Sequence, residues 1–390
     1  MRRGIRWVFG EDPLLPDEVV RKYAHSYYDA DPVAEAFVED VYLKHGQKHG
    51  RAMLDQALRE GVDSVVDAPP SMRRMFAEVE ELPSWVDWEQ VELGARVFRR
   101  FGTHMYSFAG AITLEGYLEN SVAKPLALTG AYNGESANRR FLETAGFWVD
   151  VSEPGNLQQG GKGIETCLRV RVMHVFVRKR LLQHPEWNLE AWGVPISQGD
   201  ALLTLMGGSL IPGFGLRTLG YRTTRDEIMA MMHFWRYVGH LLGVQPRWYP
   251  ETIQEALGLM YTSQIKSVHR SGRDGEELAK SYVESYAPTS DDSGWDAWVK
   301  RWEYGLQLGY VRLFLPPHTH KRYNLPGAGL WRLHPLVQFP FLFAWDTVRR
   351  NSTIVDEFHD KWVRRSTQSW VSRRLGRRQA EYKSVENFTR

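Results

Sequence analysis

One segment decides how this chain is interpreted: Thr166-Cys167-Leu168-Arg169-Val170-Arg171-Val172-Met173-His174-Val175-Phe176-Val177-Arg178. In an α-helix, steps of three and four residues return to one face, so Arg171, His174 and Arg178 form a row about two turns long. This row places one imidazole between two guanidinium groups, whose positive charges disfavour protonation of the histidine. A neutral imidazole is the form that binds a metal ion.

Helical periodicity recurs from one end of the 390-residue chain to the other, whereas alternating stretches bounded by hairpin turn pairs are scarce. We therefore predict an all-α fold. Asp31 and Thr224 are predicted N-caps, the first before a first-turn proline and the second in a capping box with Glu227. The predicted helices cover residues 31–45, 51–60, 88–119, 164–182, 224–242, 250–268 and 295–313.

The chain shows no clear domain boundary, and we predict a single helical domain over residues 1–390. Residues 361–390 form a basic tail in which Trp362, Ser366 and Trp370 recur at helical spacing. An amphipathic tail helix of this kind can contact an anionic membrane surface. The more common alternative is a terminal helix that packs its tryptophans on the core.

The composition narrows the classes of partner. The formal charge of +2 is the difference between 49 basic and 47 acidic residues, which is too close to balance for the whole chain to bind nucleic acid. The 15 Trp, 17 Tyr and 17 Phe instead indicate a large apolar core or a pocket for a hydrophobic small molecule. The run Phe339-Pro340-Phe341-Leu342-Phe343 fits either a cavity wall or a plain core.

The sequence predicts a cytoplasmic protein. A single cysteine, Cys167, excludes an intramolecular disulfide and favours a reducing compartment. Glu11, Asp12 and Pro13 interrupt the basic N-terminus before an apolar stretch develops, so we predict no signal peptide. The longest uncharged stretch, 201–216, is shorter than the ~20 apolar residues of a spanning helix, which predicts a soluble or peripheral protein.

The two arginines of the row need anions, and a haem group has them. Its iron takes a proximal histidine, and its two propionates match guanidinium groups. Under this hypothesis His174 is the iron ligand, while Arg171 and Arg178 bind the propionates or orient the ring. The same row also fits a solvated basic helix face around an interior histidine. Spacing alone favours that simpler interpretation, because charge rows on helices are common.

Four strings in order resemble the latex-clearing protein family, whose rubber oxygenase catalytic domain is shared with fungal enzymes that cleave farnesyl chains. The segment 166–178 resembles the haem-binding helix of the family. Downstream, 193–200 resembles its Gly-x-Pro-Ile-Asn-Gln-x-Asp turn, with Ser197 in place of asparagine, and 215–220 its Gly-Leu-Arg-x-Leu-Gly element. Residues 235–239 resemble its Trp-Arg-x-x-Gly helix, and the resemblance spans residues 110–244.

This resemblance implies a globin-like helical bundle that encloses a b-type haem bound through His174. It also implies an oxygenase that uses dioxygen to convert isoprenoid carbon-carbon double bonds to carbonyl products. Secreted members of the family carry export signals that we do not find here. We therefore expect a hydrophobic, unsaturated, isoprenoid-like substrate other than solid rubber.

The family's distal element, Arg-x-x-x-Thr, is similar to Arg140-Phe141-Leu142-Glu143-Thr144. A step of four residues puts Arg140 and Thr144 on one helix face, where the resemblance implies that they line the oxygen side of the haem. Rubber-cleaving members carry a lysine before this threonine, whereas this chain has Glu143. Those enzymes also use an upstream acidic residue, for which the candidates here are Glu115, Glu119, Glu135 and Glu143.

Three other functions are compatible with these patterns. A proximal histidine also serves peroxide-dependent haem enzymes. A haem sensor or carrier without turnover would use a second axial ligand, for which His233 and His240 share a helix face. The third is a non-haem scaffold whose arginine row binds an acidic partner. His104, in the predicted 88–119 helix, is expected to be a hydrogen-bonded core residue.

Overall fold

The computed structural model describes residues 2–129, 135–266 and 272–375, and the side chains in these ranges except those of residues 135–138 and 266. The regular structure of the described ranges is helical and contains no strand, which confirms the all-α prediction. The haem pocket of the predicted bundle stays a prediction.

Twenty α-helices make up most of the described residues, joined by short turns. They are α1 (Arg2–Phe9), α2 (Asp17–His25), α3 (Pro32–Phe37), α4 (Gln47–Glu60), α5 (Pro70–Glu80), α6 (Trp88–Arg100), α7 (Thr103–Gly116), α8 (Asn120–Leu128), α9 (Glu135–Ser152), α10 (Lys162–Leu182), α11 (Leu189–Trp192), α12 (Gln198–Gly208), α13 (Leu210–Gly215), α14 (Arg225–Leu241), α15 (Ile253–Lys266), α16 (Arg273–Glu284), α17 (Gly294–Phe314), α18 (Pro317–Arg322), α19 (His334–Arg350) and α20 (Thr353–Leu375). A π-helical turn, Val38–Leu43, continues α3, and 3-10 turns at Leu216–Leu219 and Gly329–Leu333 follow α13 and precede α19.

Local signals in the sequence place several helix ends. The Asp31 carboxylate accepts the backbone N–H of Ala34 at 3.1 Å, and Pro32 opens α3. At the start of α14, Thr224 and Glu227 form the reciprocal capping box. Both predicted N-caps are therefore confirmed.

The predicted helix 88–119 is two helices, so that prediction is wrong. α6 ends at Arg100 and α7 begins at Thr103, because Gly102 adopts a φ of +54°, a left-handed value that ends a right-handed helix. Buried residues of both helices belong to the same apolar cluster. The spacing of apolar residues therefore continues across the break and hides it from an analysis of periodicity.

One buried apolar cluster runs through the described fold, with members from Tyr23 to Val371. At its centre α6 packs along α14. Gly94 permits this close approach, since a Cβ atom at this position would lie 2.0 Å from the carbonyl oxygen of Ala230. α10 packs against α9, α3 and α14, so the helix that carries the arginine row lies within the bundle.

The predicted tail helix is the second half of α20, which the structure describes as far as Leu375. Trp370 is half-buried and stacks on Tyr106, with ring centroids 5.2 Å apart. Trp362, in contrast, is 59% exposed. One tail tryptophan therefore packs on the core and the other does not, and the rest of the predicted tail, 376–390, lies outside the described residues.

Length and composition single out one stretch in the described ranges that is long and apolar enough to cross a membrane, Gln198–Leu219. It comprises α12, α13 and the 3-10 turn that follows them, and half of its most apolar window is buried inside the fold. Core helices meet the same criterion, so this stretch is weak evidence for a span.

The close approach of α6 and α14 at Gly94 can be tested by adding a methyl group at this position. Gly94→Ala is expected to lower the free energy of unfolding by about 1 to 3 kcal/mol, because the new Cβ pushes the α6 and α14 backbones apart. The matched control is Gly207→Ala in α12, where nothing lies within 4 Å of the added Cβ. There the lower backbone entropy of alanine predicts a gain of about 0.5 to 1 kcal/mol. Urea unfolding measures both changes, and a loss of the same size in both variants would contradict the packing argument.

Candidate functional site

The arginine row of α10 faces the interior of the bundle. Arg171 and Arg178 are only 1% and 3% exposed, and His174 between them is half-buried. The interpretation of the row as a solvated basic face is therefore wrong. Two buried guanidinium groups need partners inside the protein, because an unpaired charge in the interior costs several kcal/mol.

Arg171 is held by two carboxylates. Its Nε and Nη2 donate to the two carboxylate oxygens of Asp31 at 2.6 and 2.9 Å, and Nη2 also donates to Glu78 at 2.8 Å. Burial lowers the pKa of Arg171, but the hydrogen bonds and charges of both acids outweigh burial and raise it above its ordinary value. The guanidinium therefore ties α10 to the start of α3 and to α5.

Arg178 is held mainly by backbone carbonyls. Its Nε and Nη2 donate to the carbonyl oxygens of Pro195 and Ile196 at 3.0 and 2.8 Å, and Nη1 donates to Glu35 at 3.1 Å. Ile196 has a φ of +53°, which a β-branched residue adopts only at a cost in energy. The two carbonyl contacts fix this strained turn against α10.

These contacts change the role of the two arginines. Their predicted partners were haem propionates, on the argument that the guanidinium groups needed external anions. In the structure three protein carboxylates supply the negative charge, and each nitrogen of the Arg178 guanidinium already has a partner. Within the described residues, Nη1 of Arg171 is the one guanidinium nitrogen of the pair without a partner. The two guanidinium groups therefore need no external anion to be stable in the interior, and they hold α10 in place, while a contact of either with a haem propionate stays a prediction.

His174 is the uncharged member of the row. Burial, and to a lesser extent the positive charge of Arg178, lower its pKa to about 4, against an opposing contribution from Asp31. The imidazole nevertheless retains accessible surface. It makes no hydrogen bond to any residue in the ranges 2–129, 135–266 and 272–375. A neutral, desolvated imidazole without a partner there has the donor chemistry that a haem iron requires.

The predicted distal residues form an ion-pair cluster on α9. Glu143 is 7% exposed and accepts from Arg139 Nε at 3.2 Å and from Arg140 Nη1 at 3.1 Å. The Thr144 hydroxyl donates to the carbonyl oxygen of Arg140 at 3.1 Å. The hydroxyl of Thr144 therefore donates its one hydrogen within its own helix. Nε and Nη2 of Arg140 have no partner in the described part of the chain.

α9 and α10 place Glu143 and Thr144 at a height in the bundle similar to that of His174. The helices pack together and are joined at one end, where Asp150 accepts from Thr166 at 3.1 Å. At a rise of 1.5 Å per residue, Thr144 lies about 9 Å from this junction along α9 and His174 about 12 Å along α10. Glu143 and Thr144 are therefore within one helical turn of the level of His174.

The other histidines considered above each make a contact through one ring nitrogen. The Nε2 of His233 accepts the backbone N–H of Asp87 at 3.0 Å. His240 Nε2 contacts the carbonyl oxygen of Glu78 at 3.1 Å, and His104 Nδ1 contacts the Tyr221 hydroxyl at 2.8 Å. The contact of His104 confirms the expectation of a hydrogen-bonded core residue.

Comparison with known proteins gives this geometry a context. The family model for the catalytic domain of the ER-bound oxygenase mpaB/B' and rubber oxygenase matches residues 95–350. This chain belongs to that family. A rubber oxygenase from Streptomyces sp. strain K30 is 26% identical over 236 residues, which are 57% of this chain and 54% of the relative. The chain thus matches about half the length of that relative.

The solved structures include one with the same fold. The structure of latex clearing protein LCP in the closed state matches with a TM-score of 0.57 at 19% sequence identity. The match covers 82% of this chain and 91% of that chain. At this level of identity the comparison shows the fold, in agreement with the all-α architecture of the described residues.

The string 193–200, which resembles the family's turn, has a structural function. Gln198 Nε2 donates to the carbonyl oxygens of Ala30 and Gly243, both at 2.9 Å. Ser197 caps α12 by accepting the backbone N–H of Asp200 at 3.0 Å and donates to the Asp200 carboxylate at 2.8 Å. The serine that replaces asparagine here therefore still serves as an N-cap.

The sequence did not reveal the partners of the arginine row. Glu35 and Glu78 stand among many other acidic residues and carry no distinguishing signal. Asp31 was recognised as an N-cap, yet the same carboxylate also pairs with Arg171, 140 residues away. Gly243 has φ +75°, and a Cβ atom there would lie 2.1 Å from the Asp31 carboxylate. The absence of a side chain at Gly243, just after α14, is thus required by this ion pair.

Loss of Arg171 should be far more costly than loss of an exposed cation on the same helix. Arg171→Met is expected to lower the free energy of unfolding by about 3 to 5 kcal/mol, because two carboxylates lose their partner in the interior. The control is Lys179→Met, which removes an exposed pair with Glu39 and should cost less than about 1 kcal/mol. Denaturant unfolding checks both values, and similar losses would show that burial does not set the cost.

His104 should make the stability depend on pH. Burial lowers its pKa to about 4 in the folded protein, whereas the unfolded chain titrates near 6.5. The unfolded state therefore binds a proton that the folded state excludes, and stability falls as the pH drops from 6.5 towards 4 and is unaffected above 6.5. The loss between pH 7 and 4.5 is expected to be about 2 kcal/mol smaller in His104→Gln, which keeps a polar group beside Tyr221. Equal losses in both proteins would contradict this assignment.

Proposed function

We propose that this chain is a haem b-dependent oxygenase that uses dioxygen to cleave or oxygenate a hydrophobic, isoprenoid-like unsaturated substrate, with His174 as the iron ligand. Family membership supports the reaction class. The observation that carries the proposal is the imidazole of His174, which is neutral, desolvated and without a hydrogen-bond partner in the described residues. The imidazole is only half-buried, and neither of its nitrogens is committed to a protein group in the described ranges, so both are available to an external ligand.

The protein groups around His174 hold its imidazole in a fixed position. A haem held there would supply the oxygen chemistry, and the protein would supply position and an environment with little water. Arg171 and Arg178 bind α10 to α3, α5 and the 195–196 turn, so the imidazole cannot shift without breaking buried ion pairs. This rigidity favours a fixed ligand on a helix over one on a loop.

Glu143 would act as a positioning residue on the other side of the site. Its carboxylate is shared between Arg139 and Arg140, so it orients the Arg140 guanidinium and neutralises part of its charge. Arg140 then retains Nε and Nη2 as donors towards oxygen or substrate. The Streptomyces relative is a rubber oxygenase, which supports an isoprenoid-like substrate for this chain as well.

A haem sensor or carrier is the second candidate, since the sequence alone left it open. It would be supported by ligation through two histidines. His233 and His240 each use Nε2 for a contact with a backbone group, of Asp87 and Glu78, and a histidine that ligates iron commonly makes such a contact through its other nitrogen. Membership of the oxygenase family, rather than these contacts, favours the oxygenase over the carrier.

The visible absorption spectrum tests the iron ligand. Protein produced with a supply of haem is expected to show a Soret band, which His174→Ala should lose or shift strongly. The control is His318→Ala, which removes an exposed histidine and should leave the band unchanged. Addition of imidazole to His174→Gly should restore part of the band. A wild-type protein without a Soret band, or an unchanged band in His174→Ala, would refute the assignment.

Oxygen uptake tests the reaction class separately. The haem-loaded protein is expected to consume dioxygen with polyprenyl or terpenoid substrates and to yield carbonyl products detectable by mass spectrometry. Arg140→Ala should reduce the rate by about tenfold or more while the Soret band stays, because the substitution removes a donor on the distal side. A Soret band without uptake across a broad panel of such substrates would support the carrier instead.

A further inference from the structure

Exposed apolar side chains concentrate in one part of the molecule. More than half of the large exposed hydrophobic residues in the described ranges lie between 295 and 362. We call the exposed apolar residues of α17, the turn Gly329–Leu333, α19 and the first half of α20 the aromatic surface. Among its most exposed members are Trp295, Leu330, Phe341, Ile354, Phe358 and Trp362, each between 59% and 82% exposed. Exposed apolar residues that are gathered in one region, rather than scattered singly, are typical of an interaction surface.

The α17 part of this surface is continuous with the turn before α19. Trp295 stacks on Trp298 with ring centroids 4.7 Å apart, and Trp298 stacks on Trp302 at 5.7 Å. Trp302 then meets Trp331 edge to face at 4.8 Å. A ladder of tryptophans thus connects α17 to the turn Gly329–Leu333.

The same surface continues from α19 to α20. Trp345 Nε1 donates to His359 Nδ1 at 3.1 Å, and the His359 ring lies 6.2 Å from that of Trp362. Within α19, Phe339 stacks on Phe343 at 5.8 Å, and both rings are at least 40% exposed. The aromatic run of α19, for which the sequence indicated a cavity wall or core, therefore lies largely on the outside.

α19 buries an ion pair against the protein and turns most of its apolar residues outward. Its buried residues are Pro335, Asp346 and Arg349. Asp346 accepts the backbone N–H of Arg222 at 2.8 Å and pairs with Arg349 at 2.9 Å. A core helix has the opposite arrangement. The outward apolar face is therefore fixed by buried ion pairs.

The charge around this surface is positive. Residues 329–375 contain eight Lys or Arg and four Asp or Glu. The aspartates at 346, 356 and 360 are all paired with arginines, which leaves Glu357 as the exposed acid. Arg332, Lys361 and Arg365 are exposed and make no ion pair within the described ranges.

We propose that the aromatic surface docks on an anionic lipid bilayer. Tryptophan and phenylalanine beside unpaired cations are the composition of an interfacial membrane contact, where the rings enter the headgroup region and the cations meet anionic lipid. A symmetric contact with a second copy would instead bring two positively charged rims together. The positive charge beside the aromatic surface therefore favours contact with an anionic lipid over contact with a second copy of the chain.

This docking site replaces the tail as the membrane contact. The sequence placed Trp362 and Trp370 on one membrane-facing side of a C-terminal helix. In the structure Trp370 packs on the core, and Trp362 joins the aromatic surface through His359. The proposed contact is thus formed by α17, α19 and α20 together.

Vesicle flotation tests the proposal with the full chain. The protein is expected to float with phosphatidylcholine vesicles that contain 30% phosphatidylserine and to bind pure phosphatidylcholine vesicles at least several-fold more weakly. Phe341→Ser/Phe358→Ser/Trp362→Ser should reduce binding about tenfold or more. The matched control is Val66→Ser/Leu189→Ser/Ile265→Ser, which removes three exposed apolar residues elsewhere and should bind like the wild type.

A second variant separates charge from apolar contact. Lys361→Glu/Arg365→Glu should reduce binding to the anionic vesicles about tenfold or more and leave the weak binding to neutral vesicles unchanged. Far-UV circular dichroism checks that each variant is folded. No binding to either vesicle, or equal binding to both, would overturn the proposal. A dimer in sedimentation experiments that Phe341→Ser/Phe358→Ser/Trp362→Ser abolishes, without vesicle binding by the wild type, would assign the surface to self-association instead.

Discussion

The candidate site depends on one buried guanidinium. Arg171 has almost no contact with water, and its stability in the interior requires the two carboxylates of Asp31 and Glu78. Because those acids belong to the start of α3 and to α5, the charge requirement of a single side chain fixes three helices relative to one another. His174 lies one turn further along α10, so its position follows from the same ion pairs. The carbonyl groups of Pro195 and Ile196 bind Arg178 and so hold α10 at a second point, on the other side of the histidine.

Much of the fold could be predicted because its signals are local. The N-caps at Asp31 and Thr224 depend on a side chain and a backbone group within three residues, and such contacts are encoded by spacing alone. The break at Gly102 was missed because the flanking apolar residues keep their helical spacing on both sides. A single glycine in a long amphipathic pattern is ambiguous until its φ angle is known.

The site was predicted only in part, for a physical reason. Spacing correctly placed Arg171, His174 and Arg178 on one helix face and correctly indicated a neutral imidazole. It could not reveal whether that face was buried or which anions lay opposite, because Asp31, Glu35 and Glu78 are far away in the sequence. The same limit applies to α19, where apolar residues face outward and an ion pair faces inward. An apolar run in a sequence indicates a preference for a nonaqueous neighbour without saying whether that neighbour is protein.

Asp31 forms one hydrogen bond within its own helix and another with a distant helix, and the two bonds form at different stages of folding. Its bond to the Ala34 amide is local and can form as soon as α3 has been synthesised, whereas its bond to Arg171 spans 140 residues. At the usual rate of translation, those residues take about 7 to 28 seconds to synthesise. During that interval the carboxylate is partnered only by its own helix. The buried ion pair that fixes α10, and with it the position of His174, therefore forms late, by a slow long-range closure rather than by local helix formation.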